Sequence, residues 1–477
     1  MKKLLFAAIV LICLAGALFA GSTYWFGMRA EQQYLDTIQQ ASQTGYIRLT
    51  NESYNRGFFR SEARTAVGIP DLANLTLVHV IRHGPLPLCT SPEGKCQLKP
   101  LLAIIETSIE LSPETRVELK EVLDEFPEIV SLKSYTSLSL TGDGVTQLSI
   151  PPMQKTVGKE KVAVIWEGLT GNVTFTGDLK EFKGALKAPG LEAVGDDGEI
   201  RMTNLRSAFD IREDIHGLFF GNAAFDLDLL EVGEKEGPQE TRFSMKGLKM
   251  RTKSEGATNT VSYTMTMQVD KVVADGTPYG PGGFQMELRK LDAVALAKLQ
   301  KEIGELQAEF SRRSPDEINQ MMLAKYAEAL PELMKTSPEI EITQVNLKTD
   351  EGDFLGKAKI AVDGTNAAAL TNPLFLLSAV TAHAELTVTD RLLKTILQAD
   401  FEEDVIEAAK QTGQAGLSDE EVKALAASKS ETRLAELIDK NILVYEDGNF
   451  KASADYQAGM VTLNGRPLTL QDLQGLD

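Results

Sequence analysis

No charged side chain occurs between Leu4 and Met28, and this run constrains the rest of the chain more than any other feature. Leu4-Leu5-Phe6-Ala7-Ala8-Ile9-Val10-Leu11-Ile12 continues through Leu14, Leu18 and Phe19 to Tyr24-Trp25-Phe26. A hydrocarbon core of about 30 Å needs about 20 apolar residues in a helix, because each residue rises roughly 1.5 Å. Residues 4–26 meet that length, so the first segment, 1–28, is expected to be a short tip and a transmembrane anchor. Lys2 and Lys3 precede the run, and a basic excess on that side keeps the amino terminus in the cytoplasm and exports the rest. Tyr24 and Trp25 fall where an aromatic belt would meet the outer headgroups. A cleaved signal peptide is the competing reading, with small residues at Ala15-Gly16-Ala17 or Phe19-Ala20. The compartment is the same in both cases. Cys13 follows the bulky Ile12 and not the small residue of a lipoprotein signal, so it reads as an ordinary residue of the anchor.

The exported remainder, about 450 residues, is long enough for roughly two or three domains. Hydrophobic residues make up 43% and charged residues 25%, the balance of a folded globular protein and not of a disordered one. Acidic residues outnumber basic ones, 68 to 49, for a net charge of −19, which argues against nucleic acid or an anionic surface as the main partner. Cys89 and Cys96 are the thiols outside the anchor, separated by a turn containing Pro92 and Gly94. In an oxidising compartment a disulfide-closed loop is expected of them. A zinc site would need two further ligands, and the nearby His79 and His83 are equally well explained as strand positions.

Glu31–Gln43 reads as a short polar helix leading away from the membrane. The period then changes. Thr76–Ile81, Thr136–Leu140 and Val173–Thr176 alternate and are rich in β-branched residues, as half-buried strands are. Similar stretches recur at Thr241–Met250, Val261–Val269, Ile340–Leu347 and Lys357–Val362, separated by turn signals at Gly142–Gly144, Gly195–Gly198 and Glu351–Asp353. Leu291, Ala295, Leu299, Ile303, Leu306 and Phe310 lie on one face of an amphipathic helix. A second helix is expected from a capping box, Ser314 with Glu317, and a third from Ser418 with Glu421, stapled by Leu417 against Val422. The fold class predicted is therefore α+β: the single anchor helix, then a large curved antiparallel sheet region with packed amphipathic helices. The expected divisions are 1–28, a mainly antiparallel region at 29–285, and a helix-rich α+β region at 286–477 closing with a carboxy-terminal hairpin.

Chemistry is hard to find in this sequence. Arg82-His83-Gly84 opens like a histidine phosphatase signature, but Leu86 stands where that signature has its second arginine, and the required strand–helix alternation is missing. His216 and His383 are far apart, and neither an HExxH pair nor a Gly-x-Ser-x-Gly elbow occurs. The segment Gly276–Gly283 lacks the lysine of a phosphate-binding loop and reads as a flexible turn. Trp166 reads as a core or edge aromatic. No catalytic residue, metal site or cofactor is expected, and the chain is not expected to be an enzyme.

Three motifs carry a resemblance: Tyr54-Asn55-Arg56-Gly57-Phe58-Phe59-Arg60-Ser61, then His83-Gly84-Pro85-Leu86-Pro87, then Leu463-Asn464-Gly465-Arg466-Pro467-Leu468-Thr469-Leu470. With the anchor before them and the two late helix regions, they span nearly the whole chain, which resembles the YdgA-like family of uncharacterised bacterial envelope proteins. The Cys89–Cys96 loop departs from that pattern. The resemblance implies a single-pass inner-membrane protein facing the periplasm, compatible with a homodimer, and assigns no reaction or cofactor. Tyr54, Arg56, Gly57, Phe58, Phe59, Ser61, His83, Gly84, Pro85, Asn464 and Gly465 are thus motif positions without a known role. Gly57 is expected to turn the chain, and Phe58 and Phe59 to bury against the first sheet. The leading expectation is a binding or scaffold protein that takes a lipid or a protein segment. A hydrolase with scattered catalytic residues and a structural dimerising factor are the alternatives.

Overall fold

A computed structural model describes residues 21–39, 48–68, 75–85, 100–118, 120–125, 127, 132–157, 161–196, 198–236, 239–274, 276–307, 315–366, 376–411 and 418–468. The protein is a large antiparallel β structure with a few helices, and every pairing whose register is described is antiparallel. It divides into two compact units. One holds the described residues of Met1–Phe225 and Val294–Ala329, the other those of Asp226–Ala293 and Leu330–Asp477.

In the first unit, helix α1 (residues 21–39) is followed by β1 (Arg48–Arg56), β2 (Arg60–Gly68), β3 (Leu75–His83), β4 (Ala103–Leu111), β5 (Lys133–Leu138) and β6 (Gly144–Ile150). Then come β7 (Met153–Val157), β8 (Val162–Trp166), β9 (Leu169–Phe175), β10 (Glu181–Val194), β11 (Gly198–Glu213) and β12 (Phe219–Glu236), the last running on into the second unit. Pairing proceeds β1 to β6 in order, then β6 to β9, β9 to β10 and β10 to β11. Paired residues point to the same side of a sheet, so the register defines rows across it. One row is His83, Ala103, Leu138, Gly144, Phe175, Phe182 and Ile211. The next is Ser61, Ile81, Ile105, Thr136, Thr146, Val173, Gly184 and Phe209.

α1 lies on this face. Ala30 and Tyr34 from the helix form a core with Ala63, Ile81, Leu102, Ala103 and Leu138, and Phe175 packs at its margin. The segment read as leading away from the membrane is thus a face-packed helix, because Ala30 and Tyr34 recur at the spacing that keeps one side of a helix against a partner. α1 also runs through position 28 without a break. Residues 4–20 of the expected anchor lie outside the described residues, and among those described no helix is long and apolar enough to cross a membrane.

The second unit contains β13 (Gln239–Ala257), β14 (Thr260–Val269), β15 (Lys271–Ala274), β16 (Thr277–Asp292), β17 (Glu339–Thr349), β18 (Gly352–Val362) and β19 (Val380–Thr389). It closes with β20 (Val444–Glu446), β21 (Asn449–Gln457), β22 (Met460–Leu463) and β23 (Arg466–Pro467). Between these strands lie α2 (Ala293–Gln307) and α3 (Pro315–Met334), parts of which belong to the first unit, and α4 (Asp390–Gln411) and α5 (Asp419–Asp439). Leu392 of α4 and Leu434 of α5 bury against Val388, Leu443 and Phe450, which gives this unit its core. The capping box at α5 is complete: Glu421 N–H donates to Ser418 Oγ and Ser418 N–H donates to Glu421 Oε2, 2.8 Å. Ser314 and Leu417 lie outside the described residues.

The stretch Gly276–Gly283, expected to be a flexible turn, is a strand from Thr277 onward. Tyr279 pairs with Val272, and Gly282 pairs with Leu347. The register slips between Tyr279 and Gly282, and such an irregularity is where a strand tolerates a proline such as Pro281.

Candidate functional site

The first two family motifs meet under the amino-terminal half of α1. Gly57 N–H donates to the Arg60 carbonyl, 3.0 Å, closing the β1–β2 turn, and His83 N–H donates to the Phe59 carbonyl, 3.0 Å. Gly84 N–H donates to the Leu102 carbonyl, 2.8 Å. A Cβ on Gly84 would collide with the Leu101 carbonyl oxygen, so only glycine fits there. Pro85 accepts from Leu101 N–H at 3.1 Å. These bonds hold His83 at the end of β3, directly beneath Gly27 of α1. A Cβ at Gly27 would stand 2.7 Å from the imidazole, so the missing side chain is what lets the helix descend onto the ring.

His83 and Ser61 are both buried, and Ser61 Oγ lies 2.8 Å from His83 Nε2. The other ring nitrogen, Nδ1, lies 3.1 Å from the Phe58 carbonyl. A carbonyl only accepts, so Nδ1 carries the hydrogen, and Nε2 of the neutral ring accepts from Ser61. Burial pushes the His83 pKa down, opposed by its bond to Phe58. Two rows from His83, His79 bridges Thr65 and Thr107, each 2.9 Å distant, and Tyr34 of α1 lies 2.7 Å from Thr65 Oγ1. Burial lowers the His79 pKa to about 4. Burial also raises Tyr34 and Tyr54, whose rings are 5.3 Å apart. The Tyr54 hydroxyl is buried without a hydrogen-bond partner among the described residues.

A serine 2.8 Å from a correctly polarised histidine is half of a nucleophilic pair. A reacting carbonyl must also reach the oxygen, and Ser61 is 0% exposed beneath α1. No group of His, Cys, Asp or Glu side chains among the described residues could hold a metal ion. What the arrangement accomplishes is seating: a polar seam of Ser61, His83, Thr65, His79 and Thr107 in an otherwise apolar contact fixes where α1 sits.

Around the seam lie exposed aromatic residues. Arg56 binds Glu31 at 2.9 Å and stacks over the Tyr24 ring at 5.3 Å. Tyr24 neighbours Phe58, 6.2 Å between ring centres, and Phe58 neighbours Phe59 at 4.8 Å. Phe58 and Phe59 were expected to bury, yet they are 45% and 59% exposed. The tight turn at Gly57 places them at the tip of the hairpin, beyond the sheet face.

The third motif belongs to the second unit and has a local role. Asn464 and Gly465, at φ +47° and +78°, turn β22 into β23. Asn464 Oδ1 accepts from Ser453 N–H at 2.7 Å, while Nδ2 donates to the carbonyls of Asn441, 2.7 Å, and Ile442, 3.1 Å. The side chain ties the end of α5 to the closing hairpin. Leu86, Pro87, Thr469, Leu470, Cys89 and Cys96, and with them the expected disulfide, lie outside the described residues. His383 sits on the open sheet surface between Asp455, 2.7 Å, and Glu385, 3.1 Å, and its hydrogen bonds to them, that to Asp455 first, raise its pKa. His216 occupies a turn at φ +55°.

Seam, hairpin tip and closing turn are the three places where the family motifs fall, on an antiparallel sheet with a face-packed helix. The chain belongs to the DUF945 family of bacterial proteins of unknown function, which it matches over residues 1–471. It is similar along its whole length to Protein YdgA of Escherichia coli (strain K12), with 21% identity over 513 aligned positions that cover 100% of this chain and 97% of that protein. No solved structure matches it.

Proposed function

We propose that this protein is a scaffold of the bacterial envelope, held in the inner membrane through residues 4–26 and facing the periplasm, that carries a lipid acyl chain on the sheet of its first unit. The observation behind this reading is the face on which α1 sits. Beyond Phe175 the same rows continue over β9, β10 and β11 as Val173, Phe182, Leu186, Phe209 and Ile211, each only partly buried. Phe175, Phe182 and Phe219 follow one another at 6.4 and 5.8 Å between ring centres. On the opposite face, Glu181, Lys183 and Lys187 keep β10 wet. An apolar strip that lacks charge offers an acyl chain the contacts it needs, whereas an extended peptide would seek the hydrogen bonds of a sheet edge. The anchor would keep the strip beside its ligand's source.

The test is mass spectrometry of the full chain extracted in mild detergent, beside Leu186→Lys. Stoichiometric lipid on the parent and loss of it from a variant with an unchanged melting profile is the expected result. A parent that carries no lipid, or a variant that retains it, overturns the reading; a lipid-free dimer would favour the self-assembling alternative.

A further inference from the structure

We propose that the tip of the β1–β2 hairpin is a second membrane contact, where Phe58 and Phe59 join Tyr24 and Trp25 in resting on the headgroup layer of the bilayer that holds the anchor. The inference rests on the anchor reading above but not on the acyl-chain reading. Tyr24, Trp25, Phe58 and Phe59 are 44%, 50%, 45% and 59% exposed, and Met28 beside them is 39% exposed. Four aromatic rings left open together are unusual for a surface with no partner. Two of them come from a helix and two from a turn more than thirty residues later, drawn together by Arg56, which binds Glu31 and covers Tyr24.

The position of the patch selects its occupant. The apolar run from Leu4 ends within the first two described turns of α1, which carry Tyr24 and Trp25. A bilayer crossed by that run has its outer headgroups at this level. Aromatic rings with one polar edge, and arginines whose stems lie along them, are the side chains that favour that layer. Arg29 over Trp25, 5.9 Å from the ring centre, supplies a cation for phosphate groups, while Arg56, paired with Glu31, lies over Tyr24. The hairpin tip would thereby fix the rotation of the first unit about its anchor, which a single helix leaves free.

The experiment uses the full chain in phosphatidylethanolamine–phosphatidylglycerol vesicles, with Trp25→Phe and Trp166→Phe removing both tryptophans. A single reporter is then introduced as Phe59→Trp or, as a control, Val117→Trp. Val117 is 75% exposed and follows the Leu111 end of β4, opposite the Ala103 end that pairs with His83. Lipids brominated near the headgroup or near the chain terminus serve as quenchers. Expected is a blue-shifted Phe59→Trp emission quenched most by the shallow bromine, with the Val117→Trp emission unquenched. An unquenched Phe59→Trp reporter on a chain that resists alkaline washing overturns the contact and leaves the anchor standing. Equal quenching of both reporters also overturns it. A chain washed from the vesicles overturns the anchor, and this proposal with it.

Discussion

At the residue scale, Gly27 and Ser61 bear on the same ring from two sides. Gly27→Ala should gain up to about 1 kcal/mol of helix propensity, but the new methyl would meet His83 at 2.7 Å and overpacking typically costs about 1–3 kcal/mol. The net expectation is a lower melting temperature. Ser61→Ala removes the donor to a buried imidazole nitrogen, and a group so orphaned costs about 1–3 kcal/mol, measurable as a fall in the denaturant midpoint. Acid should act on the same seam. The His79 pKa lies at about 4 when folded, below its ordinary value of 6.5. Between those values the unfolded chain binds the extra proton, so the His79 contribution to stability is lost as pH falls from about 6.5 and is complete near 4. The full loss is of order 3 kcal/mol, and His83 adds to it in the same direction. A melting temperature indifferent to pH across that window would contradict the burial of His79. The motif residues themselves were legible, His83 among them, because Gly84 and Pro85 mark a fixed turn after an apolar strand. The contact between Ser61 and His83 was not, because only the β2–β3 register brings the two together, and Gly27 reads in sequence as one more small residue of an apolar run.

At the element scale, Asn464 shows how one side chain can stand in for missing backbone partners. It supplies three hydrogen bonds and accepts a left-handed backbone that asparagine tolerates. Asn464→Ala loses all three and strains the turn, for a combined cost of about 2–4 kcal/mol. Hydrogen exchange should then rise at the α5 terminus and in β21–β23 together; a rise confined to the turn would mean that the tie carries no load. Strands with clean alternation, such as β3 and β14, and helices with caps or a strong apolar stripe, such as α2 and α5, could be read directly from residue patterns. β10 could not, since Gly184, Pro189 and Gly190 interrupt its alternation. β12 and β13 run for 18 and 19 residues, beyond the roughly 3–10 of an ordinary strand, so a window sized for such strands sees only a fragment. α4 was missed because its acidic second half, Asp400 to Asp404, obscures the stripe through Leu392, Leu393 and Leu397.

At the scale of the whole molecule, the change from strand-rich to helix-rich sequence near 285 and 286 is a local signal, whereas compactness depends on pairing between distant segments. Both positions lie inside β16, which is paired along one edge with β14, Gln285 to Thr266, and along the other with β17, Met286 to Ile342. Arg289 on the same strand binds Glu287 at 2.8 Å and Glu339 at 3.1 Å, and Lys290 reaches Glu339 at 2.5 Å. With Lys359 bonded there too, the Glu339 carboxyl is drawn down to about 2. The first unit also takes back Val294–Ala329 after the chain has begun the second. A fragment ending at 285 therefore leaves β14 with a truncated neighbour and removes α2, while a fragment starting at 286 presents β17 with a bare edge of the kind that templates aggregation. Neither piece should give a cooperative melt by circular dichroism, and the 286–477 piece should aggregate. Two separately folding halves would mean that β16 belongs to its neighbours less than its register implies. Co-expression sharpens the test, because complementary pieces that recover one cooperative transition only together would show that the strand pairings, and not chain continuity, make the second unit a unit.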